Sequence, residues 1–151
     1  MIRLSRLTDY AVTLLTQMVS EGKGYWAASD LGTKSGVPLP TVSKILKQLA
    51  KTGIVSAQRG AAGGYKLVRP GEKISIAAII EAMDGPIALT DCAEGSAHAC
   101  RVEPICPMSG NWNKVNRAVR DALETVSLAD MVGSSRAPDF KHALEREKVD
   151  S

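Results

Sequence analysis

The chain has 151 residues, which suits roughly one domain on a prior of about 100 to 200 residues each and excludes two large enzyme domains. With 44% hydrophobic and 23% charged residues it is too apolar for a disordered chain, although only 4% is aromatic. The net charge of +3 conceals an asymmetry: residues 1–73 hold 11 Lys and Arg against 4 Asp and Glu, and residues 74–151 hold 8 against 12. A basic half beside an acidic one makes polyanion binding the first expectation for residues 1–73, with a solvated basic surface as the plain alternative.

A first helix is expected from Thr8, with Thr8 as N-cap, Asp9 in the first turn and Ala11, Leu14, Leu15 and Met18 along one buried face; Gly22 and Gly24 end it. Ser29 caps a short second helix that runs to about Ser35 and closes at Gly36. Val37-Pro38-Leu39-Pro40 is a stiff connection, and Pro40 suits the first position of a third helix reaching about Thr52. In that helix Val42, Ile45, Leu46 and Leu49 form the apolar stripe, and Thr41, Ser43, Lys44, Lys47, Gln48 and Lys51 occupy the other face. Two β-type runs, 54–57 and 65–68, flank a turn with three glycines and read as a hairpin. Three short helices and a hairpin describe a winged helix-turn-helix over residues 1–73.

Residues 74–91 hold a connecting helix capped by Ser75, with Ile76, Ile79, Ile80 and Met83, broken at Asp84-Gly85-Pro86. Its apolar run falls far short of the roughly 20 residues of a membrane span, and Met1 to Arg6 lacks a signal-peptide core, so a cytoplasmic protein is expected. Residues 92–106 form a loop. Within 107–132, Trp112, Val115, Val119, Ala122 and Val126 recur in steps of 3 and 4, the narrow seam of a long helix that seeks a partner helix. A short turn follows Ser127, and the polar tail, 133–151, is expected to be partly disordered. The fold class is therefore mainly α with a small β-hairpin wing and a long dimerisation helix.

The third helix has the shape for a major groove, where lysines neutralise phosphates and short polar side chains approach base edges. Arg59 at the hairpin tip is placed to enter a minor groove. Cys92, Cys100 and Cys106 are the only cysteines, and an odd count without a secretory signal argues against a disulfide framework. Their spacing does not fit the close pairs of structural zinc, whereas iron-sulfur clusters accept wider thiolate loops. A fourth ligand is open among His98, Asp9, Glu94, Glu103 and Ser109.

Leu7-Thr8-Asp9-Tyr10-Ala11, Pro40-Thr41-Val42-Ser43-Lys44, Arg59-Gly60, Gly63-Gly64-Tyr65 and the three cysteines together resemble the Rrf family of winged-helix regulators, of the IscR, NsrR and RirA type. Gly110-Asn111-Trp112 and Ser127-Leu128-Ala129-Asp130-Met131 look most like its subgroup that regulates SUF iron-sulfur assembly. The resemblance implies a homodimeric repressor on a double-stranded DNA operator, with Thr41, Ser43 and Arg59 at contacting positions. It also implies a [2Fe-2S] or [4Fe-4S] cluster held by Cys92, Cys100 and Cys106. Ser109 stands where IscR-like members carry a histidine, and Asp9 matches the aspartate that NsrR-like members supply from the other subunit, which favours Asp9 over His98.

A nitric oxide or iron-responsive regulator of the same fold uses the same parts. A thiol-redox or zinc-stabilised interaction adaptor would explain the cysteines but not the basic helix face. No nucleophile-base pair or phosphate loop stands out, so neither enzyme activity nor a small-molecule substrate is expected.

Overall fold

The computed structural model of the protein describes residues 2–22 and 24–133, so the tail expected from 133 onward lies, beyond Gly133, outside the described residues. Helix α1 (Arg6–Glu21) begins earlier than the sequence suggested. Ser5, not Thr8, is its cap: the Ser5 Oγ accepts the Thr8 N–H at 3.1 Å, and Thr8 itself is buried. Packing is the reason, since Leu7 and Tyr10 also lie against the core and draw the first turn into it.

Helices α2 (Ala28–Ser35) and α3 (Leu39–Lys51) follow. Ser29 lies inside the first turn of α2 and does not cap it. Trp26 exchanges both backbone hydrogen bonds with Tyr65, at 2.7 and 2.8 Å, so the chain turns into the helix at Ala27, whose carbonyl accepts from Asp30 and Leu31. Pro40 is the second residue of α3, still within the first turn, where an N–H has no intrahelical partner to lose.

Strand β1 (Val55–Gln58) pairs antiparallel with β2 (Gly64–Leu67), Val55 opposite Leu67 and Gln58 opposite Gly64. The hairpin depends on two glycines at its return. A side chain at Gly63 would collide with the Gln58 carbonyl, and one at Gly64 with the Trp26 carbonyl.

Helix α4 (Ile76–Asp84) is capped by Ser75, whose Oγ accepts the Ala78 N–H at 3.1 Å. It packs between α1 and α3 on one side and α5 (Trp112–Thr125) on the other, and α6 (Leu128–Gly133) returns against α1. The Ile76 N–H to Val126 O and Leu128 N–H to Ile74 O bonds, both 2.8 Å, fasten the end of α5 to the start of α4. Leu14, Leu15, Ile45, Leu46, Ile79 and Leu128 are fully buried in one continuous core. The result is mainly helical with a two-strand wing, the winged-helix architecture expected from the element order. Among the described residues no helix is long and apolar enough to cross a membrane.

Candidate nucleic-acid interface and cysteine loop

Because Val42, Ile45, Leu46 and Leu49 are buried, α3 presents its opposite side outward. Lys44 and Lys47 are exposed there, with Thr41 and Ser43 partly exposed beside them. Among the described residues neither lysine joins an ion pair, nor does Arg59, which stands exposed at the hairpin tip. Gln48 departs from expectation. It does not face outward but donates through Nε2 to the Ala82 carbonyl at 3.0 Å, so it belongs to the contact with α4. Its place at the margin of the apolar stripe allows either direction, and the open carbonyl at the end of α4 decides.

Helix α5 exposes its seam: Trp112 is 40% and Val115 45% exposed, Ala122 is exposed and Val119 is half-buried. Val126, the last member expected, falls just past the helix in extended backbone. The inward side of α5 is polar toward its start, before Leu123 packs on the core. Asn116 is buried, accepting the Leu89 N–H through Oδ1 and donating to the Ile87 carbonyl, both at 2.9 Å. Asn113 Oδ1 accepts the Glu94 N–H at 2.9 Å, and Arg117 grips the Glu94 carboxylate at 2.6 and 3.2 Å. These three residues hold the chain on both sides of Cys92. Apolar periodicity passes over them; their own i, i+3, i+4 spacing was the available signal.

The Arg117 hydrogen bonds, and then its charge, hold the Glu94 carboxyl below the usual carboxylate range. Glu94 is thereby engaged elsewhere than at a metal. Cys92, Cys100 and Cys106 are all free thiols and half-buried, with Cys92 Sγ 3.3 Å from the Thr90 hydroxyl. Hydrogen bonds of the loop after Glu94 are local, such as Ser109 N–H to Cys106 O at 3.1 Å and His98 N–H to Ser96 Oγ at 3.1 Å. Asp9 is exposed beside an open cleft lined by Arg3, Leu4, Ser5 and Arg6. His98, Glu103 and Ser109 are exposed.

In kind, three free thiols on one loop suit a thiolate-held cluster. In place, no three His, Cys, Asp or Glu side chains among the described residues come together as a metal-holding group. Among the described residues the three cysteines thus share one loop without forming such a group, and Asp9 joins none.

An outward basic helix, seated on a shorter one and followed by a glycine-built wing, defines the class of winged helix-turn-helix DNA-binding proteins. The Rrf2 family profile, described as an iron-dependent transcriptional regulator, matches residues 4–134. Rv1287 of Mycobacterium tuberculosis (strain ATCC 25618 / H37Rv), named as an HTH-type transcriptional regulator, is 32% identical over 136 residues, covering 89% of this chain and 83% of its own. CymR, the global cysteine regulator of B. subtilis, superposes with a TM-score of 0.71 at 20% identity, covering 89% of this chain and 99% of that one. IscR of T. potens superposes with a TM-score of 0.66 at 22% identity, covering 93% and 96%. At those identities the two structures speak for the fold alone. The chain belongs to the Rrf2 family of transcriptional regulators.

Proposed function

We propose that the protein is a homodimeric repressor that reads a pseudo-palindromic operator and controls iron-sulfur assembly genes of the SUF or ISC type according to cluster status. The observation that carries this reading is one chain combining an exposed basic face on α3, without ion pairs among the described residues, with three free, half-buried thiols on a single loop. Lys44 and Lys47 are assigned to phosphates, Thr41 and Ser43 to base edges, and Arg59 to a narrow minor groove. Cys92, Cys100 and Cys106 would hold a [2Fe-2S] or [4Fe-4S] cluster, with Asp9 of the partner subunit as fourth ligand. When bound, such a group supplies a centre that responds to oxidant, nitric oxide or iron supply. The chain's own part is to keep Cys92 in place through Asn113, Asn116 and Arg117 while the rest of the loop closes.

Anaerobic purification with iron and sulfide analysis and an absorption spectrum tests the reading, alongside Cys92→Ala, Cys100→Ala and Cys106→Ala. Wild type should carry iron and sulfide and each variant should lose most of both. A second reading, a thiol-redox regulator of the same fold, needs free thiols but no group of three metal ligands, and among the described residues no such group forms. Wild type without iron or sulfide, whose thiols oxidise reversibly with peroxide, would replace the first reading with the second.

A further inference from the structure

The last turn of α4, Glu81 to Asp84, receives side chains from three other helices. Gln48 of α3 donates to the Ala82 carbonyl at 3.0 Å, one of the end carbonyls that a helix cannot satisfy internally. Arg120 of α5 bonds Glu81 at 2.9 Å. Ser5 Oγ and Thr8 Oγ1, at the start of α1, donate to the two oxygens of Asp84 at 2.8 and 2.7 Å.

Asp84 is the residue local rules would not choose. A carboxylate at a helix C-terminus opposes the helix dipole. The conflict is relieved because the end of α4 meets the beginning of α1, so Asp84 serves as the anion at that positive end. Residues that break a local rule and are compensated from elsewhere in the fold are candidates for a functional role. Asp84 also lines a cleft of about 210 Å³ with Leu89, Asp91 and His98, so the same turn borders the cysteine loop.

From this we infer that Gln48 and Asp84 are positioning residues that set the angle of the reading head, α1 to α3, against the α4 and α5 unit. In a dimer built on α5 that angle fixes the distance between the two recognition helices, and so the half-site spacing the protein accepts. The inference rests on the DNA reading above, and on dimerisation, but not on the cluster. Neither residue touches DNA in this scheme; each acts through the seating of α3.

The experiment uses a duplex enriched from a random-sequence pool by the full wild-type chain. Versions with one base pair added or removed between the half-sites change their separation by about 3.4 Å and their rotation by about 35°. Wild type should prefer the selected spacing. Gln48→Met, which keeps the bulk and loses the bond, and Asp84→Asn should bind a single half-site as wild type does yet lose most of the spacing preference. Lys44→Ala, in contrast, should weaken all spacings alike. A wild-type spacing profile in Gln48→Met overturns the inference even where Asp84→Asn fails to fold. No enriched duplex at all would instead remove the DNA reading, and this inference with it.

Discussion

Lys44 and Lys47 lie on the outer side of α3 without an ion-pair partner among the described residues, so their charge is available to a polyanion. Lys44→Ala should weaken binding to every duplex alike and lower the salt slope by about one unit, whereas Arg59→Ala should chiefly lower discrimination at an A·T-rich narrow groove. Binding measured over a salt series checks both, and equal slopes for wild type and Lys44→Ala would remove Lys44 from the interface. Glu94 offers a pH test. Its carboxyl is held below the usual range by Arg117, so its contribution is present above the unfolded carboxylate value and is lost as pH falls through the lower, folded one. Proteolysis of the loop after Glu94 should rise in that acid window, and Glu94→Gln should show the same susceptibility already at neutral pH.

At the scale of elements, α5 carries two different faces. The inner one is built on Asn116, which satisfies a buried N–H and a carbonyl on the segment before Cys92. Asn116→Ala should leave both unpaired and destabilise the protein by about 1–3 kcal/mol, read by thermal melting, with faster amide exchange at Leu89. Unchanged exchange at Leu89 would show that the segment is held by something else. The outer face exposes Trp112 and Val115, an apolar surface that a second copy of the same helix would cover. Val119→Glu should then shift a dimer toward monomer in sedimentation at micromolar concentration and weaken operator binding. A Val119→Glu dimer with normal operator affinity would count against the seam.

Across the whole molecule, α4 joins α1 and α3 to α5 through one core, while hydrogen bonds from α5 hold the start of the cysteine loop, and this arrangement explains how much was legible beforehand. The buried stripes of α1, α3 and α4 and the glycine hairpin were readable because each follows from local periodicity or turn chemistry, which needs only near neighbours in the chain. The basic face of α3 and the exposed Arg59 were readable for the same reason. The cap of α1, the start of α2 and the direction of Gln48 were not. Each is decided by a partner far along the chain, respectively the core around Leu7 and Tyr10, the Tyr65 backbone and the Ala82 carbonyl. The sequence by itself determined the helical periods, the wing, the charge asymmetry and the thiol donor set, since these are properties of residue type and spacing. Only the tertiary structure decided that Asn113, Asn116 and Arg117 hold the flanks of Cys92 and that Asp84 joins the ends of α4 and α1. Hydrogen bonds between segments 76 to 79 residues apart in α1 and α4 leave no periodic trace, because nothing in a local pattern encodes which distant donor will satisfy a given acceptor.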